Sequence, residues 1–291
     1  MCALLAFAFL LVLQVKSEQF DPTKFDYCDI TCKEFDTTHK HSACNCHIDE
    51  GREEILDDIV QFRRDALDLH NKLRNYIASG LEKNANAGEA AKMMALNYDL
   101  ELEYIARCSA GHIVTPPDKC VRHHGFNYSG QNVGGLDTKN VSGALFLIQE
   151  WYDEIMNIDN TVIDKFPESN FPKMVKHFAQ MLWATQEYVG CARVWYPEHP
   201  DKNYRLMLVC NYASPEGPTN VPGQPVYEKG EKCTKCPEDT VCGTKYTALC
   251  GFINATPTDK PWPIEVKSTS VVATPLLALT LAAISLLSLM Y

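Results

Sequence analysis

Twelve cysteines constrain this chain more than any other feature. The sequence holds thirteen in all. Cys2 sits in an apolar N-terminal leader. The rest are Cys28, Cys32, Cys44, Cys46, Cys108, Cys120, Cys191, Cys210, Cys233, Cys236, Cys242 and Cys250. An even set behind an export leader reads as six disulfides. The stretch from Cys28 to Cys46 has little hydrophobic periodicity, so bridges rather than a core of its own must hold it. A thiolate metal cluster at Cys233-x-x-Cys236 is the weaker reading. Such sites favour reducing compartments, and the last four cysteines can pair among themselves. Spacing alone leaves the connectivity open.

Both ends carry targeting signals. Ala3 to Val15 is apolar but too short to span a bilayer comfortably, and Ser17 and Glu18 follow it. Residues 1–17 read as a signal peptide, although the usual Lys or Arg is missing from its start. The segment from Val271 to Tyr291 carries no charge and is long enough to span a membrane. A polar, proline-bearing spacer precedes it, and small residues Asn254, Ala255 and Thr256 lie upstream. That order is the pattern of a glycosylphosphatidylinositol (GPI) attachment signal, with a retained single span as the alternative. Asn254 is a candidate attachment residue and also heads a glycosylation sequon, and the two fates compete. Asn127 and Asn140 head two more sequons, expected on exposed loops. The expected location is the extracellular face of the cell membrane, or the extracellular medium.

A formal charge of −10 argues against a nucleic-acid partner. About 250 residues between the two signals suit one domain plus a small module.

Hydrophobic spacing gives a coarse map. Ile55, Ile59, Phe62, Ala66, Leu69, Leu73 and Tyr76 step by four and three, which predicts an amphipathic helix stopped at Gly80. A second helix is expected from Asp99 to Cys108, a third in "VSGALFLIQEWYDEIMNI" and a short fourth in "HFAQMLW". "HHGFNYSGQNVGG" is glycine-rich but lacks phosphate-loop spacing, so no nucleotide site is read there. "YVGCARVWY" and "YRLMLVCNYA" read as strands, and a Cys191–Cys210 bridge would staple them. Pro and Gly mark a linker at residues 218–232, and residues 233–254 form a cysteine-rich module.

Six motifs then occur in a familiar order: "HNKLR" from His70, "CSAGH" from Cys108, "GQN" from Gly130, "WYDE" from Trp151, "HFAQMLW" from His177 and "LVCNYASPEG" from Leu208. The chain resembles the CAP superfamily of cysteine-rich secretory, antigen 5 and pathogenesis-related proteins, over residues 55–217. The leader, residues 18–54, looks like that of the arthropod antigen 5, venom-allergen branch. The resemblance implies an α+β fold, a three-layer α-β-α sandwich. It also implies the bridges Cys28–Cys44, Cys32–Cys120, Cys46–Cys108 and Cys191–Cys210. The module at 233–254 looks like the hinge appended in some relatives, and residues 255–291 are spacer and tail.

By the same resemblance, a central cleft holds His112, Gln131, Glu154 and His177. Many relatives have Glu where this chain has Gln131. An amide carries no net charge, so any cation site loses one attraction. No cofactor is required, yet His112 and His177, helped by the remaining carboxylate, could bind zinc weakly.

Three readings follow. The first is a non-enzymatic binding protein for a sterol, a fatty acid or a protein partner. The second is a metal-dependent hydrolase with His112 and His177 as ligands and Glu154 as base. The third is a satisfied internal polar network. The hydrolase lacks an HExxH helix, a G-x-S-x-G elbow and a free nucleophile. Elsewhere, His70 reads as a hydrogen-bonding residue of the long helix. His123 and His124 read as exposed loop histidines, Glu53, Glu54, Asp57 and Asp58 as a solvated helix face, and Trp183 and Trp195 as core.

Overall fold

The computed structural model describes residues 20–34, 36–112, 118–138, 140, 143–168 and 175–267. The expected signal peptide and the apolar C-terminal segment lie outside them. In chain order the elements are β1 (Thr31–Glu34), β2 (Thr37–Lys40), β3 (Ile48–Asp49), β4 (Glu53–Glu54), α1 (Ile59–Ala78), β5 (Asn97–Tyr98) and α2 (Leu100–His112). They continue with β6 (Tyr128–Leu136), α3 (Gly143–Asp153), α4 (Lys176–Leu182), β7 (Tyr188–Trp195), β8 (Leu206–Ser214) and β9 (Val266–Lys267).

The central sheet runs β4-β7-β8-β6, with β5 added parallel to β7. Every residue of β8 is buried, as a strand covered on both faces requires. Its side chains alternate. Leu208, Cys210 and Tyr212 join the large core with α1, α3 and α4, whereas Met207 and Val209 join Ala106 and Ala110 of α2. Helices therefore cover both faces, giving the α-β-α sandwich. Close approach of α2 to β7 depends on Gly190: a Cβ there would lie 2.2 Å from the Glu103 nitrogen.

Four disulfides have the implied pairings: Cys28–Cys44, Cys32–Cys120, Cys46–Cys108 and Cys191–Cys210. The module closes as Cys233–Cys242 and Cys236–Cys250, which the sequence leaves open.

Several expectations need correction. The glycine-rich stretch, to which the sequence pattern assigns no element, forms strand β6 from Tyr128 to Leu136, paired with β8 along its whole length. Helix α1 starts at Ile59, not Ile55, because Glu53 and Glu54 pair with β7 and the Ile55 N–H donates to the Arg193 carbonyl. Those acidic residues are thus no helix face, and Glu54 instead receives Arg107 through both oxygens, at 2.6 and 3.0 Å. Tyr76 is exposed, while Leu67, His70, Arg74 and Ile77 are buried in its place. Trp183 is core, but Trp195 is only half-buried. Asn127, Asn140 and Asn254 are exposed, as sequons need.

The expected spacer is not free either. Buried Arg63 pairs with Glu103 at 2.7 Å and donates to the carbonyls of Pro257 and Asp259 at 3.1 and 2.8 Å. Arg107 donates to the Trp262 carbonyl at 2.7 Å, and β9 pairs with β3. Residues 255–267 are a strap on the domain, and cleavage after Asn254 would remove it.

A chain ending at Asn254 loses these acceptors from two largely buried guanidinium groups. The expected cost is about 3 kcal/mol, a fall in Tm of roughly 6–12 °C. Thermal unfolding of the truncated and full chains measures it, and an equal Tm would show the strap to be passive.

Candidate functional site

Arg74 positions the segment that carries His177. Its side chain is fully buried and donates to the carbonyls of Met94, Met181, Trp183, Ala184 and Gln186. Burial lowers its pKa to about 9. This cation fixes the end of α4 against α1. On the α4 turn that faces β6, Gln180 lies over Gly130, where a Cβ would come within 2.4 Å of the amide oxygen. The same oxygen accepts from Thr219 Oγ1 at 3.0 Å, while Gln180 Nε2 is buried without a protein partner.

His177 Nδ1 donates to Glu154 Oε1 at 2.7 Å, and the Phe178 N–H donates to Oε2 at 2.9 Å. Both carboxylate oxygens are therefore engaged. Glu154 sets the tautomer of His177 and leaves Nε2 as the nitrogen with a lone pair. Trp151 stacks on the ring at 5.8 Å, and the His177 side chain remains 20% exposed.

Gln131, on β6, is saturated. Its oxygen accepts from the Asp118 N–H at 2.9 Å, and its Nε2 donates to Ser109 Oγ at 3.2 Å and Asn211 Oδ1 at 3.0 Å. His112 follows Ser109 by three residues on α2, so it lies on the same helix face. Its Nδ1 is buried and has no protein partner. Burial lowers its pKa, with Asp118 opposing and His47 adding to the shift. The rings of His112 and His47 stack at 5.7 Å.

Next to Gln131, Asn132 donates to the His177 carbonyl at 3.0 Å and contacts the Tyr212 hydroxyl at 3.5 Å. That hydroxyl meets His70 Nε2 at 2.8 Å, and His70 Nδ1 donates to the Ala66 carbonyl at 2.7 Å. His70 is thus the hydrogen-bonding residue expected. Ser109 and Asn211 lie inside the "CSAGH" and "LVCNY" motifs, so a reading of motif neighbours could have found them. His47 and Asp118 carry no such signal.

Chemically, two imidazoles have nitrogens to offer. The Gln131 amide and the Glu154 carboxylate are fully engaged, whereas Asp118 Oδ2 beside Gln131 is buried without a protein partner. Among the described residues, His112, Glu154 and His177 do not form a three-ligand group; Cys233–Cys236–Cys250 and Glu101–His123–His124 do. The three cysteines are already committed to disulfides. Two imidazoles alone fall short of the three or four ligands of a tight zinc centre.

Residues 67–212 match the sequence model of CAP, the cysteine-rich secretory protein family. The chain belongs to the CAP family. Venom allergen-1 of Aedes albopictus is 30% identical over 236 residues, covering 77% of this chain and 87% of that protein. Venom allergen 3 of Solenopsis invicta is 38% identical over 165 residues, covering 55% and 68%. These relatives agree with the antigen 5 branch. A crystal structure of NaASP2 with Zn2+ is similar at TM-score 0.52 and 27% identity, covering 65% of this CAP chain and 94% of that one. Among the described residues no helix is long and apolar enough to cross a membrane.

The buried His70 of this CAP domain makes stability depend on pH. Burial pushes its pKa down to about 4 from 6.5, so the folded state resists a proton that the unfolded chain accepts. Stability from this group is present above pH 6.5 and lost as pH falls toward 4, by about 3 kcal/mol in all. Denaturant unfolding across that range checks it: His70→Gln should flatten the dependence relative to the unaltered chain. An imidazole seen by NMR to titrate near 6.5 would refute the assignment.

Proposed function

We propose that this is a non-enzymatic, extracellular or cell-surface CAP protein that binds a small lipid, a sterol or a fatty acid. The observation that carries the reading is a cavity of about 400 Å³ between α1 and the cysteine module. Leu67, Ala95, Val241, Leu249 and Phe252 give it apolar walls, and Asp68, Lys245 and Tyr246 form a polar edge. Its volume falls in the range of small-molecule pockets. Phe252 is 71% exposed and Val241 60% exposed. Apolar side chains so placed gain burial when an acyl or ring system covers them. A protein partner seated on the same apolar edge is the other form of this reading.

The cleft supports binding rather than hydrolysis. Glu154 has both oxygens engaged, so it is poorly placed to activate a water. All twelve cysteines downstream of the leader form disulfides, which leaves no thiol nucleophile. Weak zinc binding through His112 and His177 fits the two available imidazoles and the zinc named for NaASP2. Six disulfides suit an extracellular location. Anchoring through the C-terminal segment, whether as a GPI signal or as a span, is the reading from sequence and rests on residues outside those described.

Native mass spectrometry of protein made in secreting cells is expected to show a bound lipid. A fluorescent fatty acid and a fluorescent sterol then test the cavity. Phe252→Asp should weaken whichever binds by roughly tenfold or more, in line with the loss of about 1.5–3 kcal/mol of apolar burial. Equal binding by the variant, or a lipid-free native protein with no uptake of either probe, would overturn the reading.

A further inference from the structure

The sequence suggests that His123 and His124 are exposed loop residues; His124 is exposed in a loop, but His123 is buried. His123 is 7% exposed and Glu101, in the first turn of α2, is 3% exposed. Glu101 Oε1 accepts from the His124 N–H at 2.7 Å. Its Oε2 lies 3.0 Å from His123 Nε2 and in contact with His124 Nδ1. Two imidazole nitrogens and one carboxylate oxygen therefore converge on a single point, all within 4.8 Å of one another.

The point is accessible and acidic. Asp99, Glu101, His123 and His124 line an open cavity of about 1200 Å³, with Asp259 of the strap on its other wall. Asp99 Oδ1 lies 3.6 Å from His123 Nε2. The rings are also held in place. Phe25 stacks on His124 at 3.8 Å, and Phe126 packs on His123 at 4.5 Å. The Cys32–Cys120 bridge anchors the segment just before them. Held ligands lose little freedom when an ion arrives.

We propose that Glu101, His123 and His124 form a zinc site, with water completing the coordination. Two imidazoles and a carboxylate are a known open zinc donor set. At bond lengths of about 2.0–2.1 Å, tetrahedral ligand atoms lie roughly 3.3 Å apart, close to the spacing of His123 and Glu101 here. Without an ion, each ring presents an N–H to Glu101. The Gly125 N–H donates to His123 Nδ1 at 2.9 Å, which fixes that tautomer. Zinc replaces the proton on His123 Nε2 and on His124 Nδ1, and in each neutral ring the proton moves to the other nitrogen. Gly125 is exposed in a turn, so its N–H is released to water. The site is distinct from the cleft. Glu101 and His112 stand eleven residues apart on α2, about 16 Å along the helix.

Zinc chloride titrated calorimetrically into the full, chelator-treated chain tests the proposal. The tightest binding event is expected to survive His112→Ala/His177→Ala. It should weaken by roughly tenfold or more with Glu101→Gln and with His123→Ala/His124→Ala. Cobalt in place of zinc should give the visible absorption of a tetrahedral site, lost in the same variants. If a variant folds poorly, ring-nitrogen NMR on the unaltered chain decides, because zinc must move His123 Nε2 and His124 Nδ1. Signals that stay put, or a binding event lost only with His112 and His177, would overturn the site.

Discussion

The cleft depends on one buried cation. Among the described residues Arg74 has no carboxylate partner; its charge is spread over five backbone carbonyls from two separate stretches of chain. Burying a guanidinium is costly unless every donor is met. Here its donors meet the carbonyls that end α4 and that lead into β5. The arrangement turns an electrostatic cost into a positional constraint. Helix α4 has only seven residues and no side-chain N-cap, so it has little stability of its own. Its place, and with it the place of His177 and Gln180, is set from outside by α1.

The same logic recurs where the chain lacks a core. The N-terminal segment is held by three disulfides, two of which reach Cys108 on α2 and Cys120 after it. The strap of residues 255–267 is held by Arg63 and Arg107, whose carboxylate partners Glu103 and Glu54 are themselves largely buried. Both segments converge on α2, the lone helix of its layer among the described residues. Covering that helix is what the two ends of the domain do, and the Glu101–His123–His124 cluster sits in the seam between them.

Much of this was legible in advance, where local pattern and tertiary role agree. Helices with a clear apolar stripe, the two Val- and Tyr-rich strands and the order of the motifs all point to the sandwich. The failures share a physical cause. Strand β6 escapes a strand reading because three of its nine residues are glycine, which strand propensity disfavours. The glycines are there because other groups come too close for a Cβ. Gly130 faces the Gln180 amide, Gly134 faces Trp151, and Gly135 faces the Tyr204 backbone. Likewise, Glu53 and Glu54 read as a helical surface until β7 supplies a strand for them to pair with. Contacts between distant segments leave no local periodicity to read.

The cleft shows the same limit at the level of single atoms. Gln131 meets Ser109, one helix turn from His112, while Asn132 next to it meets the carbonyl of His177, which is paired with Glu154. What the sequence could not say is which atoms remain available. Gln131 is more than a glutamate without its charge. Its amide donates to Ser109 and to Asn211 Oδ1, and Asn211 is oriented by donating its own amide to the Leu102 carbonyl at 3.3 Å. A carboxylate at 131 would meet Asn211 Oδ1 acceptor to acceptor, and turning Asn211 over would break its bond to Leu102. The surroundings of residue 131 are therefore built for an amide. With Glu154 bound to His177 and Phe178 through both oxygens, the buried carboxylate oxygen beside Gln131 that still has no protein partner is Asp118 Oδ2, the group that opposes the fall in the His112 pKa.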